Sequence, residues 1–529
     1  MERAARKLQP STILKREVAL ISVDHSVSSQ MSKVLTLRDI VGFGVSTTIG
    51  SGIFVSVGLI SRFYAGDATF VTFIIAAAAC LLSALCYAEF GTKYPVAGQA
   101  YTYLYASVGE LAGFVTGSLC FVTYTIATAA VSRGFASYFG ILYTLISGSL
   151  LPTWMVATPP VFGFISFSAL AFLLCSLCTL LALAGVREGS KVATAFAVTN
   201  VMLILWFTCY GGYYYADFAN LDITSHLTVS GAAGIFKGVG LAYFCVIGWD
   251  LVLTLSEEVK YPSVDLPRGL ILTISIVTLV YSALSIVLSA MTTGSPIDPH
   301  AAVADAFIIR HDSLGALVVS LVATSACISS VVSGVVGPPR IIYRMAVDGL
   351  LPNRLGELSA RGVPSTATLL SGLASAVLSG LVEFEPLASI TSCTALMIYA
   401  FVAVGILFSR RSRIGVTSVI CFFLSSVAVC VTSFTISMVA LNASVLLWVL
   451  WRWRQAKTPD TPMRVGLITL PLEEPFLCPW VPWLPLASVW VNAQMMAGLG
   501  IEALCGSFLI LSVAIAIYFI YAQSHSALN

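Results

Sequence analysis

The chain has 529 residues, of which 58% are hydrophobic and only 10% are charged. Soluble domains are about 45–50% apolar and about 25% charged, so a soluble globule could not bury this much apolar surface. The formal net charge is +2, and no basic tract suggests a nucleic acid as a partner. The composition therefore predicts an integral membrane protein that is surrounded by the lipid bilayer.

The apolar segments have the length of membrane-spanning helices. The first 33 residues are polar and carry charges of both signs, which predicts a cytoplasmic tail over residues 1–37 and not a signal peptide. Crossing the hydrocarbon core takes about 20 apolar residues in a helix, whereas barrel strands alternate polar and apolar residues. These segments do not alternate, so we expect an all-α fold. Ten spans are predicted at 39–62, 67–91, 109–145, 161–184, 190–214, 232–256, 267–292, 314–337, 364–383 and 386–409.

The carboxyl-terminal part adds four predicted spans. Residues 413–453 are apolar over about twice one membrane thickness, and two more windows lie at 479–498 and 501–522. The sequence therefore predicts fourteen transmembrane helices in total. Ten of them form a core within 38–410, and the other four lie within 411–529.

The distribution of positive charge supports this topology. With the amino terminus in the cytoplasm, 23 of the 27 Lys and Arg residues fall in cytoplasmic segments, and only Arg62 and Arg310 fall in external loops. Cytoplasmic loops of membrane proteins carry such an excess of Lys and Arg. We therefore expect both termini to face the cytoplasm.

The first predicted span contains a glycine pair at its centre. The run GVSTTIGSGIFV places Gly50, Ser51 and Gly52 near the middle of the membrane. Glycine weakens a helix, and a break there frees backbone N–H groups. The amino terminus of a half-helix carries partial positive charge and attracts anions. A broken first helix is therefore a candidate binding site for an anionic group.

A second candidate break lies five spans later. The sixth span reads AYFCVIGWDLVLTLSEE, with Gly248 and the acidic Asp250 near its centre. Paired breaks in two halves are typical of transporters that are built from inverted repeats. The pattern thus favours a five-plus-five repeat. The alternative is that these glycines only let membrane helices pack closely.

Ionisable residues inside a membrane are costly and usually face a partner or water. Glu89 and Glu502 lie at the ends of predicted spans, at the membrane interface, where a charge needs no function. This interpretation is favoured for Glu502 in particular. Arg133 and Asp250 lie deeper in the membrane. For both residues a structural role is as well supported as a direct contact with a substrate. The cysteines lie mostly in apolar runs and none of the five His residues lies in a predicted span, so we expect no metal, no cofactor and no enzyme.

Three segments resemble the amino acid/polyamine/organocation transporters. They read YAEFGTKYPVAGQAYTYLYASVGELAGFVTG, YFCVIGWDLVLTLSEEVKYPSVDLPRGL and PPRIIYRMAVDGLLP. The run FLCPWVPWLPLASVWVNAQMM resembles the cationic amino acid transporter branch, whose members carry fourteen spans. The resemblance extends from about Leu35 to the carboxyl end. It implies the leucine-transporter fold, with an inverted repeat in spans one to ten and four further helices outside it.

The resemblance also implies a substrate site for an L-amino acid. By position, the amides around Thr48, Ser51 and Gly52 would hold the substrate carboxylate. Carbonyl groups near three residues of the sixth span would take its α-ammonium group. These residues are Cys245, Val246 and Trp249, and Thr123 in the third span would form a pocket wall.

Gating and coupling are implied at four positions: Gly50, Asn200, Gly248 and Asp250. Proton-coupled bacterial relatives have a lysine in the fifth span. In this chain Asn200, within the run KVATAFAVTNVMLIL, occupies the same position. The cationic branch also lacks that lysine, which favours facilitated uniport. The resemblance to this branch implies transport of arginine, lysine or ornithine that is independent of sodium. Val246 stands where the family usually has a bulky aromatic residue, and Lys237 where it has a small one. Because of these two departures, a larger or a neutral amino acid remains an alternative substrate.

Several alternatives remain at this stage. They are a proton-coupled carrier, a broad-range neutral amino acid or polyamine transporter, and a transporter-like amino acid sensor. The plasma membrane is the expected location, with the vacuolar or lysosomal membrane as alternatives. The predicted external loops lack an obvious unpaired Cys for a covalent link, so we expect no obligate protein partner.

Overall fold

The computed structural model describes residues 33–94, 99–161, 164–185, 190–221, 231–256, 258–292, 297–359, 362–410, 416–431, 442–450 and 475–526. Within these ranges the regular structure is helical, and the β-type pairs are isolated bridges such as Leu35 with Val259. The all-α expectation is confirmed for this part of the chain.

The described part of the first half of the chain contains eight α-helices of at least eight residues, and π-helical turns at Ile60–Ala65 and Phe207–Gly211 extend two of them. A 3-10 helix at Trp249–Leu255 follows the eighth. The helices are α1 (Leu37–Thr48), α2 (Gly52–Leu59), α3 (Thr69–Lys93), α4 (Gln99–Ser107), α5 (Glu110–Ser147), α6 (Ala169–Leu183), α7 (Ser190–Trp206) and α8 (Gly231–Val246).

Among the described residues of the second half, and apart from residues 442–450, which are also helical, there are nine further α-helices of at least eight residues. A π-helical turn at Tyr518–Ala522 extends the last helix. The helices are α9 (Pro262–Thr292), α10 (Ala302–Ile309), α11 (Ser313–Val336), α12 (Pro338–Val347), α13 (Ser365–Leu381), α14 (Phe384–Arg410), α15 (Val416–Val431), α16 (Trp483–Gly498) and α17 (Ile501–Ile517).

Seven helices of the described chain are long and apolar enough to cross a membrane, which supports a multi-pass protein. They are Gly52–Lys93, Glu110–Ser147, Gly234–Leu255, Pro262–Thr292, Ser313–Val347, Phe384–Arg410 and Ile501–His525. The break after Thr48 shortens the first predicted span, and part of 413–453 lies outside the described residues. The total of fourteen spans therefore stays a prediction.

The broken segments lie inside a bundle. Helix α9 packs against α1 and α3, and α5 packs against α11 and α14. Helix α16 contacts α3, α8 and α14 as well as its neighbour α15. This late helix thus touches α3 and α8, so the described structure places it against the core.

A buried carboxylate joins three distant parts of the chain. Glu89 at the end of α3 is 3% exposed and accepts hydrogen bonds from Nε and Nη2 of Arg410, both at 3.0 Å. The backbone N–H of Cys478, ahead of α16, donates to the same carboxylate at 2.8 Å. We refer to this contact as the Glu89 clasp. These hydrogen bonds indicate that Glu89 has a structural role and is not simply a charge at the membrane interface.

The Glu89→Ala substitution should lower the stability of the folded protein. It leaves the Arg410 guanidinium and the buried Cys478 N–H without their acceptor, a loss worth about 1–3 kcal/mol. Thermal unfolding in detergent measures this. The exposed Glu502, changed to Ala, serves as the control and should melt like the wild type. Equal melting temperatures for both variants would contradict a stabilising clasp.

Candidate functional site

The first span is interrupted where the glycine pair predicts. Helix α1 ends at Thr48, Ile49 leaves the helical conformation with φ −77° and ψ 79°, and α2 begins at Gly52. No side chain caps the amino terminus of α2, whose N-cap residue is Ser51. The backbone N–H groups of this turn therefore lie at the positive end of a half-helix, where an anion is favoured.

The sixth span is interrupted at Gly248. Helix α8 ends at Val246. Gly248 has a φ of 120°, a backbone conformation that residues with a side chain rarely adopt. A Cβ atom at this glycine would lie 2.7 Å from the carbonyl oxygen of Thr47. The hydroxyl of Thr47 lies 3.2 Å from the carbonyl oxygen of Gly248. The two predicted breaks thus touch each other directly.

A tyrosine of α9 joins both breaks. The hydroxyl of Tyr281 lies 3.1 Å from the carbonyl oxygen of Thr48 and 3.3 Å from that of Cys245. Tyr281 is fully buried. The last carbonyl groups of α1 and α8 lack partners within their own helices, so a shared donor reduces the cost of exposing them in a membrane.

The aromatic ring beside the first break comes from Phe244. A Cβ atom on Gly52 would lie 3.2 Å from the Phe244 ring and 3.6 Å from the Cα atom of Cys245. The structure thereby brings Gly52 and Cys245 together. Val246 is also buried, at 2% exposure. The sequence interpretation considered only this valine and missed the ring two residues earlier.

An aromatic layer surrounds Trp249 and Asp250. The indole of Trp249 packs against Tyr87 and Tyr399, with ring centroids 5.2 and 5.0 Å apart. Asp250 is 6% exposed and accepts a hydrogen bond from the hydroxyl of Tyr124 at 3.1 Å. Both residues thus lie in a packed layer directly after the second break.

The other predicted residues occupy varied surroundings. Thr123 is buried, and its hydroxyl lies 2.8 Å from that of Thr394 in α14. Asn200 is 5% exposed on α7, which packs against α1 and α11, and its side-chain oxygen has no hydrogen-bond partner among the described residues. Lys237 is exposed. A Cβ atom on Gly50 would lie 3.7 Å from the Ser330 hydroxyl oxygen.

Arg133 has a structural environment. Its guanidinium donates to the hydroxyl of Ser166 at 3.3 Å and to the carbonyl oxygen of the same residue. Ser166 lies in the extended segment ahead of α6 and is 1% exposed. The structure therefore favours the interpretation that Arg133 fixes neighbouring segments.

The signals for Tyr281, Phe244 and Thr47 are absent from the local sequence. Each is an ordinary residue for a membrane helix, and its partner lies on another helix or on the far side of a break. Only a three-dimensional arrangement could identify them, whereas the glycines marked the breaks by their own chemistry.

The Gly248→Ala substitution should destabilise the protein and prevent the native break. A side chain there meets the Thr47 carbonyl oxygen, in addition to backbone strain of about 1–3 kcal/mol. Gly148→Ala is a matched control, because Gly148 also has a positive φ, of 70°, but its Cβ would meet nothing within 4 Å. Thermal unfolding in detergent should show a larger loss for Gly248→Ala, and equal losses would contradict the close contact.

A family model for amino acid permeases matches residues 35–468, and a second model, for the carboxyl terminus of these permeases, matches residues 476–526. Cationic amino acid transporter 3, mitochondrial, of Arabidopsis thaliana is 26% identical, with 95% of this chain and 93% of the relative covered. The vacuolar cationic amino acid transporter 4 of the same plant is 28% identical, with 94% and 93% covered. The branched-chain amino acid permease BcaP of Bacillus subtilis (strain 168) is 26% identical, with 99% and 100% covered.

Proposed function

Because the chain belongs to the amino acid permease family, whose members are transporters and not enzymes, we propose that it carries cationic amino acids across a membrane by alternating access. The proposed cargoes are arginine, lysine and ornithine. The observation that carries this proposal is the direct contact between two interrupted helices, at Thr47 and Gly248.

The half-helix ends suit the head group of an amino acid. The amino terminus of α2, at Ser51 and Gly52, is the positive end of a dipole, and the carboxyl terminus of α8, at Cys245 and Val246, is a negative end. In our proposal the amides around Thr48, Ser51 and Gly52 bind the carboxylate. The carbonyl groups near Cys245, Val246 and Trp249 bind the ammonium group, and Thr123 contributes to the pocket wall.

The breaks also supply places where the helices can bend. We assign Gly50 and Gly248 to gating, because both stand where regular hydrogen bonding is interrupted. Asn200 and Asp250 are assigned to gating or coupling, since each is buried and has an oxygen without a partner in the described chain. The proposed core is the ten-helix inverted repeat within 38–410, followed by four further helices, and the proposed mode is sodium-independent uniport.

A neutral amino acid is the second candidate cargo. BcaP is named as a branched-chain permease and is covered along its whole length. Lys237 is exposed on α8, where a positive charge would repel cationic cargo. A proton-coupled carrier, a polyamine carrier and an amino acid sensor are further outcomes that the uptake experiment separates.

The plasma membrane is the proposed location, with both termini in the cytoplasm. The names of the plant relatives include vacuolar and mitochondrial members. A fluorescent fusion of the full chain, imaged beside markers for the plasma membrane and the vacuole or lysosome, would identify the membrane.

Reconstituted protein should show saturable uptake of labelled arginine. Unlabelled lysine and ornithine should compete, and uptake should continue without sodium and without a proton gradient. A panel of cationic, neutral and acidic amino acids and polyamines, tested with and without ion gradients, measures both cargo and coupling. If only neutral amino acids compete, the substrate is a neutral amino acid and not a cationic one. If no compound is taken up, the result favours an amino acid sensor.

The Gly52→Val substitution should reduce uptake to background while the protein still reaches the membrane. The new side chain would meet the Phe244 ring and cover the amides at the start of α2. Gly42→Val is the control, since a Cβ atom on Gly42 in α1 meets nothing within 4 Å. Normal uptake by Gly52→Val would contradict the placement of the carboxylate site.

A further inference from the structure

The segment that follows α17 docks onto a buried carboxylate. Glu110, the first residue of α5, is 1% exposed. The hydroxyl of Tyr518, in the π-helical turn that extends α17, donates to one of its carboxylate oxygens at 3.0 Å. The hydroxyl of Ser526, which is 5% exposed, donates to the other oxygen at 2.5 Å. A buried carboxylate is costly unless it is hydrogen-bonded, so these donors favour the docked position. We refer to residues 518–526 as the strap.

Apolar contacts add to this docking. The ring of Tyr518 packs against Phe114, one helical turn along α5 from Glu110, with ring centroids 5.6 Å apart. Tyr518 is 3% exposed and Ala522 is fully buried. Both belong to a buried cluster with residues of α4, of α5 and of the α12 region. Its members are Tyr101, Tyr105, Phe114, Met345, Leu350, Tyr518 and Ala522. The strap is therefore part of the core that holds these short helices.

Helices α4 and α12 are joined to α5 and to each other. Both pack against α5. A Cβ atom on Gly113 of α5 would lie 2.7 Å from the Cβ atom of Tyr105, so α4 approaches α5 very closely. The hydroxyl of Tyr101 in α4 donates to the carboxylate of Asp348, directly after α12, at 2.5 Å. The two short helices and the start of α5 thus form one packed unit, on which the strap lies.

This unit reaches the second break. Helix α4 contacts the 3-10 helix Trp249–Leu255. The ring of Tyr103 in α4 packs edge to face against Tyr87, with centroids 6.3 Å apart, and Tyr87 packs in the same way against Trp249 at 5.2 Å. If the segment after the second break moves, α4 must move with it or lose these contacts.

The predicted topology places the strap on the cytoplasmic side. Lys93 precedes α4, and Arg340 and Arg344 lie in α12, all three in predicted cytoplasmic segments. Glu110 stands at the cytoplasmic start of the third predicted span, and Ser526 follows the last predicted span. The strap and the two short helices therefore share the side from which a substrate would leave for the cytoplasm.

We propose that the strap is an autoinhibitory contact: docked on Glu110, it holds α4 and α12 against α5 and restrains the opening of the substrate site to the cytoplasm. The inference rests on the proposed transport function, because it assumes that the segment after Gly248 moves when the site opens. Release of the strap frees α4 to follow that segment. A negative charge at position 526 repels the Glu110 carboxylate and releases the strap.

Hydrogen–deuterium exchange of the full chain in detergent, measured by mass spectrometry, tests the docking. Ser526→Asp should raise the exchange rate of the strap and of α4 about tenfold, the factor that a loss of about 1.4 kcal/mol of closing free energy gives. Tyr518→Phe removes one donor, keeps the ring against Phe114 and should give a smaller increase. Ser524→Asp is the matched control, because it adds the same charge at an exposed position two residues earlier. Its α4 should exchange like the wild type.

A native cysteine reports whether the site opens to the cytoplasm. Cys245 is buried and unbridged, and its Cα atom lies 3.6 Å from the Cβ position on Gly52. A charged, membrane-impermeant methanethiosulfonate is applied to the cytoplasmic side of vesicles, where it forms a mixed disulfide with the Cys245 sulfur and releases sulfinate. Peptide mass spectrometry measures the labelling, and Cys245→Ser gives the background. Ser526→Asp should be labelled faster than the wild type and Ser524→Asp.

Three results would overturn the strap. Unchanged exchange of α4 in Ser526→Asp would contradict the docking. Faster exchange with Cys245 labelled at the wild-type rate would contradict autoinhibition. An equal rise in labelling when the reagent is applied from the external side would indicate general loosening of the protein. Labelling needs no amino acid, so the strap can fail while uptake is normal. Faster cytoplasmic labelling in a protein that takes up no amino acid would instead contradict the transport function and support the strap.

Discussion

A broken helix in a membrane must find partners for the backbone groups that the break leaves free, since lipid supplies none. Here the two breaks lie against each other. The Thr47 side chain contacts the Gly248 carbonyl, and Tyr281 contacts the last carbonyl groups of both half-helices. The packing of α9 against α1 follows from the same requirement, because only a buried neighbour can offer such a donor. The candidate site thus lies where the free backbone groups of the two breaks find their partners.

The glycines made the breaks predictable, because their conformational freedom is an intrinsic property of the residue. The local sequence around Gly50 and Gly248 was therefore enough to locate both interruptions. The residues that hold the breaks together could not be found in the same way. Tyr281 acts through a hydroxyl whose acceptors lie 233 and 36 positions away in the chain. Long-range pairs of this kind depend on the packing of several helices at once.

The late helix α16 shows a second limit of the sequence. Its run of apolar residues predicted a span, and the structure adds that this helix contacts α3 and α8. Asn492 donates from its amide to the hydroxyl oxygen of Ser83 at 3.1 Å, and the hydroxyl groups of Ser83 and Ser488 also lie 3.1 Å apart. Small polar residues at these positions allow close approach and hydrogen bonding between helices. Hydropathy records such a helix as apolar and does not reveal which neighbour its polar residues meet.

Helix α14 contacts another segment of the chain at each of its two ends. Glu385 meets Tyr64 at one end and Arg410 meets Glu89 at the other. A helix of this length is about 40 Å long, close to the full thickness of a bilayer. Any tilt of α14 within the bundle would therefore have to break or stretch one of these two contacts.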